Sequence, residues 1–196
     1  MKNLILILLI SIFIPISCQQ KKDIKQENTT ENKNIIDSAF LGDPKIINEN
    51  YINNIQSEEG FTGYNTIEKS LNKIQKNLST LKGEKNFQIN NLTFKLTKSK
   101  NAVRLYTISN NKTIDSLKVY QNITDKQFDD QKFATLFYLE EGKYLWILNV
   151  VINTSEQVVS IVSYKKYKVS EDGKFLNENA YIENKSLQQL FQSFFT

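Results

Sequence analysis

The feature that most constrains this chain is a single change in the period of its apolar residues. Up to residue 81 they recur at helical spacing: Ile67, Leu71, Ile74, Leu78 and Leu81 alternate at steps of four and three, one seam along a helix. From about residue 90 the period becomes two, and Leu92, Phe94 and Leu96 alternate with Thr93, Lys95 and Thr97 as on a half-buried strand. Helical pattern first and strand pattern after it point to an α+β fold.

Further strand-like runs cover 102–108, 114–120, 132–140, 143–153, 157–169 and 174–182, so six to seven strands are expected. Ser109-Asn110-Asn111, Glu140-Glu141-Gly142-Lys143 and Glu171-Asp172-Gly173-Lys174 separate them with turn chemistry. Links this short join antiparallel neighbours, because parallel strands need long crossovers. Tyr144 to Ile152 is apolar at nearly every position, Asn149 excepted, the pattern of a central strand covered on both faces. Ahead of the sheet, Asp43-Pro44 predicts a helix start, with Ile47, Tyr51 and Ile55 following before Glu58-Glu59-Gly60. Asn65 with Glu68 forms a capping-box pattern for a second helix, and Gly83 supplies its stop. Ser186 with Gln189 is another such start, and Leu187, Leu190, Phe191, Phe194 and Phe195 give a closing amphipathic helix an apolar face. The expectation is two N-terminal helices, an antiparallel meander and a C-terminal helix packing on the sheet, all in one domain over residues 35–196.

The N-terminus has a different character. Met1-Lys2-Asn3 is a short positive stretch, Leu4 to Ile14 is apolar, and Pro15-Ile16-Ser17-Cys18 closes it. An apolar run of this length suits a signal peptide and falls short of the roughly 20 residues of a spanning helix. Ser17 before Cys18 resembles the lipobox of bacterial lipoproteins, with Pro15 standing where that family prefers leucine. The resemblance implies cleavage of residues 1–17 between Ser17 and Cys18, and acylation of Cys18 that tethers the chain to a membrane. Residues 19–34, QQKKDIKQENTTENKN, cannot bury apolar surface and are expected to form a disordered tether. They resemble the polar leaders of Bacteroidota-type exported lipoproteins, which implies the cell envelope and its outer membrane. Asp23 among Lys21, Lys22 and Lys25 leaves surface display and a periplasm-facing position both open. Asp37-Ser38-Ala39 and Asp115-Ser116-Leu117 resemble the O-glycosylation sequon of the same group, implying Ser38 and Ser116 as acceptors.

Histidine is absent and Cys18 is the one cysteine. The commonest general base near neutral pH, the commonest metal ligand and an internal disulfide are thereby excluded. No nucleophile elbow, zinc-protease motif, P-loop, dinucleotide fingerprint or EF-hand spacing occurs, so no catalytic residue, metal site or cofactor is expected. The acidic pairs Asp129-Asp130, Glu140-Glu141 and Glu171-Asp172 fall mostly at turns, a poor way to hold two carboxyls across a scissile bond.

Residues 61–120 carry eleven basic against three acidic side chains, a net +8, whereas 35–60 carry −4 and 121–196 carry −2. Lys69, Lys73, Lys76, Lys95, Lys98, Lys100 and Arg104 are the candidate surface for an anionic partner, if the fold brings them together. One arginine and a net charge of +4 in an exported chain argue against nucleic acid. Phe133, Phe137, Tyr138, Tyr144, Trp146, Tyr164 and Tyr167 lie on predicted strands as core or as pocket lining. The functional expectation is a non-enzymatic lipoprotein domain that binds a protein or envelope component in an accessory, assembly or immunity-type role. A small hydrolase using carboxylates and a carrier of an apolar ligand are the alternatives.

Overall fold

The computed structural model describes residues 38–56, 60–124 and 130–193. Ser17, Cys18, the polar segment 19–34, Glu58-Glu59, Asp129, Phe194 and Phe195 lie outside them.

Eight strands follow one another in space as in sequence, each antiparallel to its neighbours. They are β1 (Glu84–Ile89), β2 (Leu92–Lys98), β3 (Ala102–Ser109), β4 (Lys112–Thr124), β5 (Gln131–Glu140), β6 (Tyr144–Asn153), β7 (Val158–Val169) and β8 (Phe175–Glu183). Seven occupy the runs that alternate in sequence. The eighth, β1, was not foreseen: only Phe87 and Ile89 of its six residues turn inward, so an exposed edge strand shows almost no alternation. The central position of β6 holds, with Leu145, Ile147, Leu148, Val150, Val151 and Ile152 buried on its two faces.

The sheet does not stay flat. β4 and β5 pair only over Gln121–Thr124 against Lys132–Thr135, and beyond that point they part. The N-terminal half of β4 remains with β3, through register shifts at Val103/Arg104 and Thr107/Ile108 that add twist. The strand ends then curl back together. Phe175 N donates to Asp115 Oδ2 at 2.9 Å, the Thr107 hydroxyl donates to the Gly173 carbonyl, and the β5–β6 turn at Gly142 packs on Ile89 of β1.

Helix α1 (Glu49–Gln56) and helix α2 (Gly60–Ser79) cover one face. Ile67, Leu71, Ile74 and Leu78 are each at most 2 % exposed, so each contributes on the order of 1.5–3 kcal/mol by burial. Local signals misplace the helix starts in three cases. Asp43-Pro44 opens a 3-10 turn, Pro44–Ile47, and α1 starts afresh after Asn48, whose side chain accepts from Asn50 N. The seam therefore shifts to Ile46, Tyr51, Ile52 and Ile55, and Ile47 is exposed. Asn65 and Glu68 lie inside α2, because the Gly60–Gly63 segment is its first turn; Glu68 pairs with Lys132 of β5 at 2.8 Å. Gly63 lets α1 and α2 touch, since a Cβ there would stand 2.8 Å from Ile55 Cα. Helix α3 (Lys185–Ser193) is capped by Asn184, which accepts from Leu187 N, and not by Ser186.

Helix α3 lies on the opposite face from α1 and α2. Alternation along the strands separates Phe133 from Ala134, Val151 from Val150 and Val162 from Ile161. The first of each pair packs with Phe191, Leu187 and Leu190 of α3 in a core of its own.

The edge of β5 that β4 abandons is taken by the N-terminal segment. Asp43 N donates to the Phe137 carbonyl at 2.9 Å, and Gly42 bridges Tyr138. Gly42 has φ +93°, and a Cβ there would lie 2.0 Å from the Phe137 oxygen. Gly42→Ala should cost at least about 2 kcal/mol, read as a lower urea midpoint with unchanged slope. Gly83→Ala, also at positive φ but with nothing within 4 Å, should lose only about 1–2 kcal/mol. Equal losses would refute the close contact.

Candidate functional site

The seven basic residues fall into two groups. Lys69, Lys73 and Lys76 lie exposed along α2. Lys98 and Lys100 join its C-terminal end: Lys98 Nζ donates to the Leu78 carbonyl at 3.1 Å, a cation at the negative end of the helix dipole, and Lys100 lies across a hollow from Gln75 and Ser79. Lys95 and Arg104 occupy the other side of the sheet, because Leu96 and Leu105 beside them point into the core. There Lys95 stands over the Tyr106 ring and Arg104 reaches Ser116 Oγ at 3.4 Å. The structure thus assembles a band of five and a separate pair.

Within the band, Lys73 is engaged by Asp43, a carboxylate 1 % exposed, at 2.9 Å. Asp43 also accepts from Lys45 N at 3.4 Å, which holds the 3-10 turn to α2. Several other described carboxylates also have local partners. Asp115 accepts from Ser116 N and Phe175 N, Glu140 from Trp146 Nε1 at 2.8 Å, and Glu141 pairs with Lys143. Hydrogen bonds from Ser170 and Lys174 hold the Asp172 pKa below the usual carboxylate range, and Lys165 does the same for Glu183. Among the described residues no three acidic side chains come together as a metal site. Ser38 is exposed at the start of a 3-10 turn, whereas Ser116 is half-buried within β4.

The predicted aromatic residues divide between core and surface. Phe133, Phe137 and Tyr164 are buried, and burial is the main cause raising the Tyr164 pKa. Trp146, Tyr164 and Tyr181 stack at 5.3–5.7 Å, and Lys166 covers the Tyr144 ring at 3.8 Å. This cluster ties the outermost strand, β8, to β6 and β7.

A different place has the geometry of a binding site. β8 pairs with β7 only from Ser163 to Val169, so Val158–Ile161 pair with β6 alone among the described residues. The free stretch ends where Asn184 N takes the Val162 carbonyl and the chain turns into α3. Ile55 and Gln56 at the end of α1 form one wall, Ile182 to Lys185 and Leu187 form the other, and a groove of about 720 Å³ lies between. Val158 is 38 % exposed at its floor. Exposed strand edges are normally blunted by charge, bulges or cover. β1 carries Glu84 and Lys85, and β8 carries Glu178 with two register shifts, but Gln157–Tyr164 contains no charged residue. That uncharged run is the only trace of the groove in the sequence.

In comparison with known proteins, no family model, no curated protein and no solved structure matches this chain.

The buried carboxylate and the exposed lysines should separate cleanly on substitution. Asp43→Ala should lower stability by about 1–3 kcal/mol, through a lost cap and a lost partner for Lys73. Lys69→Ala should stay within about 0.5 kcal/mol of the parent. Thermal melts of the two variants test this, and a tolerant Asp43 would refute its anchoring role.

Proposed function

We propose that this chain is a bacterial envelope lipoprotein, held at the outer membrane by lipid on Cys18. Its domain from residue 35 onward binds a protein partner there and is not an enzyme. The observation that carries the binding reading is the uncharged edge of β7 at Val158–Ile161, open among the described residues and flanked by Ile55, Ile182 and Leu187 together with the polar Gln56, Glu183, Asn184 and Lys185. Backbone donors and acceptors that no other described strand pairs are complemented by another extended chain, and Ile55, Ile182 and Leu187 offer contacts for its side chains. The engagement of Asp43, Asp115, Glu140, Glu141 and Glu183 with local hydrogen-bond and ion-pair partners supports binding over hydrolysis. The lipobox-like Ser17-Cys18 and the polar residues 19–34 support the anchor. Extended fully, those sixteen residues reach roughly 50 Å, at about 3.3 Å each. Anchoring and binding therefore need not compete for the same surface.

Two substitutions test the two halves of this reading. Cys18→Ala should move the protein from the membrane to the soluble envelope fraction and abolish incorporation of labelled fatty acid. Val158→Lys puts a charge on the open edge at an exposed site, so stability should change by less than about 0.5 kcal/mol. Capture of the partner from envelopes should be lost with Val158→Lys and kept with Lys69→Ala. In the complex, amides of Val158–Ile161 should gain protection from hydrogen exchange. A partner that is retained by Val158→Lys would overturn the edge as its site.

A further inference from the structure

The outward side of α2 carries charge of one sign. Lys69, Lys73 and Lys76 follow at spacings of four and three, all exposed, on the side of the helix opposite the buried Ile67, Leu71, Ile74 and Leu78. Their neighbours on that side, Thr62, Asn65, Thr66 and Asn72, are uncharged. The one carboxylate of α2, Glu68, turns away to Lys132 of β5. Asp43 offsets Lys73 from a position only 1 % exposed. Beside Lys69 and Lys73 the surface dips into a recess of about 390 Å³, bordered also by Lys45, Tyr51 and Thr66. Three ammonium groups and two hydroxyls around one recess suit a phosphate. Lys98 and Lys100, beyond the last turn of α2, add to the same positive potential.

Where the chain leaves the domain indicates what this face meets. Ser38, the first described residue, shares a hollow with Lys73 and Asn77 of α2. The chain that leads back to Cys18, twenty positions earlier, therefore departs from beside the lysine face. The groove along β7 lies toward the other end of the helix. Ile55, one of its walls, packs on Gly63 in the first turns of α2. Lys76 stands thirteen residues further on, roughly 20 Å along the helix at about 1.5 Å per residue.

We propose that the lysine face of α2 docks on the anionic phospholipid headgroups of the membrane that carries the Cys18 anchor, with a lipid phosphate in the recess between Lys45 and Lys69. The proposal rests on the lipoprotein reading of Ser17-Cys18. Each lysine close to an anionic bilayer strengthens attachment by only about fivefold, and the attraction fades within about 10 Å at 0.1 M salt. A few such groups do not hold a free domain, so loss of the anchor still releases the protein on dilution. A tethered domain stays within reach of the surface, and there weak docking suffices to fix its orientation. That orientation leaves the β7 groove open to a partner. An acidic protein is the rival occupant, and departure of the chain toward Cys18 beside this face favours the membrane.

The test reconstitutes the protein purified from envelopes in nanodiscs of phosphatidylglycerol with phosphatidylethanolamine, or of phosphatidylcholine alone. Acetylation rates of individual lysines are then read by mass spectrometry. Lys45, Lys69 and Lys76 should react at least about fivefold more slowly on the anionic discs, and salt at about 0.5 M should remove the difference. Lys112 at the start of β4 and Lys185 on the α3 face should change by less than about twofold. Lys69→Gln with Lys76→Gln, both at exposed positions, should return Lys45 to its rate on neutral discs. Lys112→Gln with Lys185→Gln, the same change in charge, should leave Lys45 protected. Equal rates on the two kinds of disc overturn the proposal, as does protection of Lys45 that survives the first pair of substitutions. Equal protection by polyglutamate added to neutral discs assigns the face to an acidic protein and also overturns it. Intact mass reads the acyl group on Cys18 separately. A chain without it refutes the anchor, and the same footprint on anionic vesicles then still decides the docking.

Discussion

Pairing between β4 and β5 lasts from Gln121–Thr124 against Lys132–Thr135 and then fails, and the rest of the molecule is arranged around that failure. A strand edge left in the interior must find hydrogen bonds elsewhere. The edge of β5 finds one in Asp43 N, which is why the segment before α1 crosses it with Gly42 pressed on the Phe137 carbonyl. Freed from β5, the lower part of β4 bends with β3 until Asp115 and Thr107 meet the β7–β8 turn. One broken ladder thus fixes the N-terminal strap and the curl of the sheet.

The same logic of edges accounts for the groove beside β7. β8 leaves β7 early because the chain turns into α3 at Asn184, and α3 goes to the face opposite α1 and α2. The upper end of β7 is therefore bordered by two helix ends without being paired by either. Burial of Ile55 and Val159 keeps the walls fixed, while Val158 stays accessible. The two outer edges carry charge and bulges while this inner stretch is uncharged, and the proposed strand addition uses that difference.

Legibility in the sequence followed how local each cause was. Seven strands and the α2 seam were readable because period two and period 3.6 depend only on which face of an element is buried. β1 was not readable, since an edge strand exposed on most positions has no face to mark. Asn65-Glu68 and Ser186-Gln189 look like helix starts, yet tertiary packing began α2 earlier, at Gly60, and gave the cap of α3 to Asn184. The lysine stripe on α2 was legible, but its separation from Lys95 and Arg104 was not, because it depends on which face of β2 and β3 meets the helix. Nor was the burial of Gln121, a polar residue one position beyond the run 114–120.

By itself the sequence determined the order and type of most elements, the antiparallel meander and the lack of histidine chemistry. These are consequences of residue identity and short-range spacing. Only the tertiary structure decided where β4 leaves β5 and, among the described residues, which edge of β7 stays open and which carboxamide is buried without a partner. Register shifts and strand separation are set by contacts between residues far apart in the chain, such as Gly42 with Phe137 and Asp115 with Phe175. No local pattern encodes them, and the candidate sites lie where they act.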